Sequence, residues 1–220
     1  SNNALATGSI IKTKKILNKI SKLSHKLRGK KLKLGIVRTF SIEAQIDFIK
    51  LALSILPCKI EIKVSDIDNI EQELLNRSSK LLKWKPDIIL VLWRLEELIP
   101  LFRSNPDNFS LKKYKTLVGE LKKRLGTMIH IYTSLTSIPL IISTMPITKQ
   151  MNIYDINNLI SFRKVFEEIN LFIFKLNEKY KNISIFDFNL WSAIKGKKSY
   201  DQKMDFFARQ PISSSSIGLF

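Results

Sequence analysis

Cysteine, histidine and glycine are all scarce in this chain. Among 220 residues there are one cysteine, Cys58, and two histidines, His25 and His130. A single cysteine excludes an internal disulfide framework and a cysteine-based zinc site, and it makes a reducing compartment the default. The seven glycines form neither a Walker A motif nor a dinucleotide-binding fingerprint, so nucleotide binding through such loops has no support. We predict no metal and no cofactor.

Long apolar runs are absent as well. No uninterrupted apolar stretch approaches the ~20 residues of a membrane-spanning helix, and the N-terminus has no apolar signal-peptide core. We therefore expect a cytoplasmic protein with no membrane span. Residues 1–9 are mostly small and polar and do not begin with methionine. We set them apart as a tag or disordered leader.

Acidic residues are few relative to basic ones. Lysine and arginine number 37 against 19 aspartates and glutamates, which gives a formal net charge of +18. Residues 1–33 hold ten lysines and arginines and no acidic residue, so the rest of the chain is only moderately basic. A net charge of this size predicts attraction to acidic partners.

The basic N-terminal segment also has a helical pattern. Lysines surround a set of apolar residues that recur at three- and four-residue steps, namely Ile10, Ile16, Leu17, Ile20, Leu23 and Leu27. This spacing predicts a basic amphipathic helix within residues 10–31. Such a helix can lie on anionic lipid, bind nucleic acid, or pack on its own domain with its lysines in water; we favour the last. Nucleic-acid binding stays an alternative, although no recognised nucleic-acid motif accompanies the charge.

The rest of the chain alternates between strand and helix patterns. Short apolar runs predict strands at 32–37, 59–64, 86–93, 138–143 and 183–186. Helical spacing predicts helices at 42–56, 70–84, 111–136 and 157–180. Because a helix lies in every connection, we predict an α/β fold. It is a three-layer α/β/α sandwich with a five-stranded, mainly parallel sheet, formed by residues 32–220 as one domain.

In open parallel sheets, ligands bind beyond the carboxyl ends of the strands. The loops at 38–41, 65–69, 93–97, 143–148 and from 187 onward should therefore converge. Residues expected to line this cleft are Arg38, Thr39, Trp93 and Arg94. Ser41, at a strand-to-helix turn, has the position of a serine nucleophile near helix amides. It also has the position of a simple N-cap, which is the favoured interpretation because no base is visible nearby in the sequence.

Other candidate residues have simpler structural interpretations. Asp66 and Asp68 resemble the paired aspartates of magnesium-dependent phosphoryl-transfer enzymes. The position that should be threonine or valine is Ile70, however, and turn or cap roles suit Asp68. His130 falls inside a long predicted helix and is assigned to packing or to the surface. We expect four aromatic residues to belong to the core rather than to a platform on which a ligand stacks. They are Phe102, Trp191, Phe206 and Phe207.

Several segments, taken together, resemble a known family. They are residues 34–41 (LGIVRTFS), 70–75 with 78–81, 86–92, 185–187, 200–201 and 211–213. In this order they resemble the N-terminal domain of FkbH-like proteins, of haloacid dehalogenase superfamily subfamily IIIC. That domain is similar to SGNH (GDSL-type) hydrolases. The resemblance covers roughly residues 10–220 and implies an SGNH-hydrolase-like or flavodoxin-like sandwich.

The same resemblance implies positions for a catalytic site and shows departures from it. SGNH hydrolases carry a serine after the first strand, and Ser41 stands there. Where an asparagine of the oxyanion hole is expected, this chain has Trp93 and Arg94. In the final Asp-x-x-His pair, Asp201 is present but Met204 replaces histidine. A thioether cannot accept a proton at neutral pH, so Ser41 and Asp201 are expected to be a vestigial pair.

In FkbH-like proteins this domain precedes a haloacid-dehalogenase-like domain that loads a phosphorylated three-carbon acid onto an acyl carrier protein. The resemblance therefore implies an acidic acyl carrier protein, or an attached phosphatase-like domain, as partner. We expect a degenerate binding or scaffolding module for such a carrier protein or for an acyl or glycan substrate, and not a competent hydrolase. The alternative is an active esterase or acyltransferase in which Ser41 is the nucleophile and Asp201, or another group such as His130, replaces the missing base.

Overall fold

The computed structural model describes residue 29 and residues 31–54, 58–100, 110–147 and 162–213. Residues 1–28 lie outside these ranges, and with them the predicted leader and almost all of the predicted basic helix. The predicted core residue Phe102 lies outside them as well. Everything stated below about the structure concerns the described ranges.

Parallel strands form a five-stranded sheet at the centre of the domain. They are β1 (Lys31–Arg38), β2 (Lys59–Ile67), β3 (Ile88–Leu92), β4 (Leu140–Ser143) and β5 (Ile183–Phe186). Their order is β2-β1-β3-β4-β5, and each neighbouring pair runs parallel. The predicted α/β fold with a parallel five-stranded sheet is confirmed.

Helices cover both sides of this sheet and complete three layers. They are α1 (Glu43–Leu53), α2 (Ile70–Leu75), α3 (Lys80–Lys83), α4 (Leu95–Leu98), α5 (Leu111–Leu135), α6 (Phe162–Lys179), α7 (Phe188–Lys195) and α8 (Gln202–Ala208). A 3-10 turn, Gly196–Ser199, joins α7 to α8.

The single helix predicted over residues 70–84 is wrong, because the chain forms two short helices there. Asn76 ends α2 in an extended conformation. Ser79 then starts α3, since its hydroxyl oxygen accepts a hydrogen bond from the Leu82 amide at 3.1 Å. Ser and Asn side chains compete for backbone groups in this way and favour helix ends over helix interiors.

One face of the sheet is tightly covered by α2, α3, α5 and α6; we call it the closed face. Its strand residues are almost wholly buried and include Val37, Ile89, Val91, Leu140, Ile142 and Ile183. Gly35 also lies on this face. A Cβ atom at Gly35 would lie 2.9 Å from Cδ1 of Leu81, so the missing side chain lets α3 pack close to β1.

The opposite face packs against α1 and α7; we call it the open face. Leu34, Ile36 and Leu92 are buried there, in a cluster with Phe48 of α1 and Phe188 of α7. Other strand residues on the same face are only half-buried, namely Leu32, Ile60, Ile88, Leu90 and Ile141. The described helices therefore cover the two faces unequally.

None of the helices in the described ranges combines the length and the apolar character needed to cross a lipid bilayer.

Candidate functional site

The loops at the carboxyl ends of the strands meet, as expected. The Thr39 amide donates to the Leu92 carbonyl at 3.0 Å, and the Arg94 amide donates to the Thr39 hydroxyl at 3.1 Å. The Asp68 amide, after β2, donates to the Arg38 carbonyl at 3.0 Å. These bonds join the loops that follow β1, β2 and β3 into one surface.

Arg94 is the centre of this surface and is almost wholly buried. Its guanidinium contacts Glu97 at 2.5 Å and Asp205 of α8 at 2.8 Å. The Tyr200 hydroxyl donates to the same Asp205 carboxylate at 2.5 Å. The ring of Phe40 lies 5.6 Å from the guanidinium carbon of Arg94. A buried cation requires such paired charges and hydrogen bonds, because burial alone opposes its ionisation.

A second arginine extends this group of charges. Arg209, just after α8, contacts Glu97 at 2.5 Å and Asp68 at 2.8 Å. Glu97 thus lies between two guanidinium groups. We call Asp68, Glu97, Arg94, Asp205 and Arg209 the ion network. It links the ends of β2 and β3 to the C-terminal segment of the chain.

The ion network shifts the pKa values of its members. Burial opposes the charge of Arg94, but the hydrogen bond to Asp205 and the charges of Asp205, Glu96 and Glu97 outweigh it and raise the pKa of the guanidinium. Burial and the bond to Asp205 raise the pKa of Tyr200. Both groups therefore keep their protons at neutral pH, and each continues to donate to Asp205.

Ser41 does not cap the following helix, so the favoured N-cap interpretation is wrong. The N-cap of α1 is Ile42, with no side-chain cap. The Ile42 amide instead donates to the Glu43 carboxylate at 3.0 Å. Arg38 holds that carboxylate at 2.7 and 2.5 Å, and this hydrogen bond lowers the pKa of Glu43 from 4.5 to about 2. A salt-bridged glutamate thus takes the place expected for the serine.

Ser41 itself is half-buried, and its amide donates to the Arg209 carbonyl at 2.8 Å. Within the described ranges no hydrogen bond to its hydroxyl occurs. The histidine that those ranges contain, His130, is exposed and lies near the end of α5, which leads into the amino end of β4. His130 is therefore at the opposite edge of the sheet from Ser41, and the interpretation of His130 as its base is wrong.

Asp201 has a structural partner at the start of α8. Its carboxylate accepts a hydrogen bond from the Met204 amide at 3.0 Å and so caps this helix. Met204, which stands where the resemblance requires histidine, is 38% exposed. The Asp-x-x-Met segment therefore has the geometry of a helix N-cap.

The four residues predicted to line a cleft are all buried. Arg38, Thr39, Trp93 and Arg94 are at most 6% exposed. Trp93 packs in the core and donates through Nε1 to the Ser143 carbonyl at 2.8 Å. These four residues lie at the carboxyl edge of the sheet, but they are buried against other parts of the protein rather than exposed to solvent.

Asp68 has the turn role that its sequence position favours. Its backbone is left-handed, with φ of 63°, a conformation that aspartate tolerates better than most residues. Its carboxylate is held by both terminal nitrogens of Arg209. Asp66 is exposed. No group of histidine, cysteine or carboxylate ligands suited to a metal ion occurs in the described ranges.

The prediction that Phe206 and Phe207 belong to the core is wrong. They are 84% and 73% exposed, and their rings meet edge to face with centroids 5.3 Å apart. Trp191 is half-buried and packs on Phe188 with ring centroids 5.5 Å apart. Exposed apolar side chains also occur nearby in sequence, at Leu190, Ile194 and Met204. We call the five exposed residues of α7 and α8 the C-terminal apolar surface.

Sequence reasoning missed three members of the ion network: Glu97, Asp205 and Arg209. Asp205 is separated from Arg94 by 111 residues and Arg209 from Asp68 by 141 residues. No local spacing rule links residues so far apart. The available signal was the excess of charged residues in the short segments 94–97 and 201–209.

The fold and this sheet edge define a three-layer α/β/α domain. No family model matches the chain, and a search of curated proteins gives no match. Among solved structures, the chain is similar to the N-terminal part of the protein BF1531 from Bacteroides fragilis, which contains a phosphatase domain complexed with Mg. The TM-score is 0.73 at 14% identity, over 92% of this chain and 53% of that chain. The chain thus spans about half of that neighbour and shares its fold.

Proposed function

We propose that this chain is a degenerate SGNH-hydrolase-like domain of the FkbH-like kind, which binds a partner protein and does not hydrolyse esters. The observation that carries the proposal is the burial of Arg94. An oxyanion hole needs donors directed at an open substrate position. Trp93 and Arg94 stand where the resemblance implies the asparagine, and the Arg94 guanidinium is instead bonded to Glu97 and Asp205.

The surroundings of Ser41 support the same proposal. Serine nucleophiles need an adjacent base, and imidazole is the usual one. His130 lies toward the other edge of the sheet, and Met204 has no basic nitrogen. Asp201 already accepts the Met204 amide as a helix cap. Removal of the base in a serine hydrolase forfeits most of the rate acceleration.

The C-terminal apolar surface supports a binding role. Phe206 and Phe207 are large, adjacent and exposed, and aromatic residues dominate the energetics of protein interfaces. Lys195 and Lys203 lie on the same two helices. A partner with an apolar centre and an acidic rim would be complementary to this surface, and the net charge of +18 would accelerate its approach. An acyl carrier protein or an attached phosphatase-type domain fits this description.

The solved neighbour supports the choice of partner. The Bacteroides fragilis chain contains a phosphatase domain, and nearly half of that chain lies outside the match. In a protein of that organisation, a fold of this type works beside a phosphatase-type domain. We propose the same arrangement for this chain, either in one polypeptide or between two.

Hydrolysis of p-nitrophenyl acetate by the purified chain and by Ser41→Ala tests the loss of catalysis. We expect no saturable hydrolysis in either protein. Saturable hydrolysis that Ser41→Ala abolishes would overturn the proposal and favour an active esterase or acyltransferase.

Calorimetric titration tests the binding role. The probes are an acidic holo acyl carrier protein and the phosphatase-containing remainder of the Bacteroides fragilis neighbour. We expect saturable binding of at least one probe. Phe206→Ser combined with Phe207→Ser should weaken it about tenfold or more. Leu171→Ser, which removes a 56% exposed side chain from α6, is the matched control and should leave affinity unchanged. Binding of neither probe, or equal losses in the two variants, would contradict the proposed surface.

A further inference from the structure

The two edges of the sheet differ in length. β2, at one edge, has nine residues, whereas β5, at the other, has four. Within the described ranges, β1 is the only strand that pairs with β2. An edge strand of this length presents a row of backbone N–H and C=O groups, to which another strand can bond.

Adjacent residues at the end of β1 show in which direction its backbone groups point. The Thr39 amide donates to the Leu92 carbonyl of β3. The Arg38 carbonyl, in contrast, accepts from the Asp68 amide, which follows β2. Because this direction alternates along a strand, the even-numbered residues of β1 bond to β2.

The same alternation assigns the backbone groups of β2. Leu34 of β1 lies opposite Ile62. In a parallel ladder, a residue bonds to the two residues on either side of the one opposite it. Ile62 therefore directs its own N–H and C=O groups away from β1, and so do Ile60 and Val64. These outward groups form the edge that a further strand would meet.

A bulge limits the regular part of this edge. Residues 59–64 pair with β1 in unbroken register, but Ile36 is opposite Val64 and Arg38 is opposite Ile67. Two residues of β2 thus stand against one of β1 after Val64. Bulges twist an edge strand and interrupt its pairing. A further strand can therefore pair regularly with 59–64 and not beyond.

The side chains of this regular stretch differ between the two faces of the sheet. On the closed face they alternate in charge and are Lys59, Glu61 and Lys63. On the open face they are apolar and half-buried, and they are Ile60, Ile62 and Val64. The whole strand has two basic and two acidic residues, so this edge does not share the strong positive charge of the chain.

We propose that a second copy of this chain pairs with β2, antiparallel and about a two-fold axis at Ile62, so that the two sheets become one continuous sheet. Ile62 then lies opposite Ile62 of the second copy, and Ile60 lies opposite Val64. All of these residues direct their backbone groups outward, so each pair can exchange its N–H···O bonds as antiparallel strands require. A C2 contact of this kind is self-complementary.

Charge selects this register among the possible ones, because opposite charges across antiparallel strands stabilise and like charges destabilise. An axis at Ile62 places each Glu61 opposite Lys63 of the other copy. An axis at Glu61 would oppose two glutamates and would place Lys59 opposite Lys63. An axis at Ile60 would pair Lys59 with Glu61, but it would carry Lys63 past the start of the other β2.

The contacts of these charges within one copy are compatible with such pairing. The Lys63 ammonium donates to the Lys80 carbonyl at 2.7 Å, and an ammonium group has two further donors. Glu61 pairs with Lys31 at 3.3 Å, where the Lys31 side chain is 62% exposed. An exposed pair of this kind can accept an additional cation at little cost.

The proposal goes beyond the proposed function, since β2 lies outside the C-terminal apolar surface. Sedimentation velocity of the full chain, from about 1 µM to about 1 mM, tests it. We expect a weak monomer–dimer equilibrium within this range, because a single pair of strand edges is a small interface. A chain that stays monomeric throughout would overturn the proposal and would leave this edge to a strand of another protein.

Proline at the axis tests the role of the strand edge. Ile62→Pro removes an outward N–H group that β1 does not use, and proline is tolerated at such positions of edge strands. It should weaken the dimer at least tenfold. The control combines Phe206→Ser with Phe207→Ser, which alters the C-terminal apolar surface and should leave dimerisation unchanged. Loss of the dimer in this control alone would overturn the proposal, whatever its effect on the binding of other partners.

Charge reversal tests the register and does not depend on the proline variant. Glu61→Lys and Lys63→Glu each place like charges opposite one another, and each should weaken dimerisation about tenfold. An equimolar mixture of the two variants should dimerise again, because every opposed pair is then of opposite charge. Thermal unfolding of each variant by circular dichroism verifies that it is folded. Unchanged dimers in the single variants, or no recovery in the mixture, would contradict the proposed pairing.

Discussion

Arg94 and Glu97 form a 2.5 Å ion pair one helical turn apart, with side chains that are 4% and 2% exposed. Removing two charges from water costs several kcal/mol per ion, on the order of what their attraction returns. Asp205 and Arg209 each add a further contact to this pair. The pair is therefore stable because Asp205 and Arg209, which are distant in sequence, supply the remaining hydrogen bonds. Its stability depends on the packing of their segment against the sheet edge.

Substitution of Arg94 should strongly destabilise the domain. Arg94→Met leaves Asp205 without a cation and leaves Glu97 with Arg209 alone, and the expected loss is about 3–5 kcal/mol in the free energy of unfolding. Urea denaturation measures this. Arg163→Met is the matched control, because Arg163 pairs with Glu167 on the surface of α6, and it should cost about 0–1 kcal/mol. Equal losses would show that the ion network contributes no more than a surface pair.

The Tyr200 hydroxyl should contribute through its bond to Asp205. Tyr200→Phe removes the hydrogen bond that the half-buried Asp205 carboxylate accepts from the Tyr200 hydroxyl, and the expected loss of unfolding free energy is about 1–2 kcal/mol. Tyr180→Phe is the control, since no hydrogen bond of the Tyr180 hydroxyl occurs in the described ranges, and it should change stability by no more than a few tenths of a kcal/mol, roughly. An equally large loss of unfolding free energy in Tyr180→Phe would contradict a stabilising role of the hydrogen bond between Tyr200 and Asp205.

Glu43 should make stability depend on acid pH. Its pKa is lowered from 4.5 to about 2 by Arg38, so the unfolded chain binds its proton first as pH falls. The stabilisation is present above pH 4.5 and is lost as pH falls toward 2. Because the Glu43 side chain is 62% exposed, solvent screening reduces the effect to about 1 kcal/mol.

Urea midpoints of the parent chain and Glu43→Gln, taken between pH 7 and pH 2.5, check this dependence on pH. The difference between the two proteins should be largest at neutral pH and shrink toward the acid end. A constant difference across the range would contradict the assigned pair with Arg38.

Two glycines should respond to alanine with opposite signs. Gly35→Ala places a methyl group 2.9 Å from Leu81 on the closed face, and overpacking of this kind costs about 1–3 kcal/mol. Gly119→Ala lies within α5, and apart from the adjacent backbone of this helix no atom lies within 4 Å of the added carbon. It should stabilise the domain by about 1 kcal/mol through helix propensity. Thermal unfolding of both variants gives the comparison, and destabilisation by Gly119→Ala would be inconsistent with the open space at that position.

The sheet could be predicted because buried parallel strands are short runs of apolar residues, as at 86–93, separated by helical patterns. The boundaries between helices were harder to predict from the sequence. The periodicity of leucines continues from Leu74 to Leu82, so it conceals the break at Asn76, which depends on hydrogen bonds of Ser79. Local competition between side-chain and backbone bonding decided the outcome there.

The sequence predicted which loops meet at the carboxyl edge of the sheet, but it did not predict which side chains pair there. Topology alone brings Thr39 and Arg94 together, since both follow interior strands. The distant partner of Arg94, Asp205, comes from α8, and only tertiary packing identifies it. At the start of α1, Glu43 rather than Ser41 accepts a backbone amide, because Arg38 at the end of β1 holds the glutamate in place. Neither contact has a signature in residue spacing.

The two ends of the segment from Ser199 to Ser213 bond to each other, and the segment also bonds to α1. An isolated bridge pairs Tyr200 with Ile212, and the Ser213 amide donates to the Ser199 carbonyl at 3.0 Å. The Ile212 carbonyl also accepts from the Gln45 side chain at 3.4 Å. A shortened gene product that stopped before residue 213 would lose this closure and release Arg209 and Asp205 from the sheet edge. Any expression boundary chosen for this domain should therefore fall after Ser213.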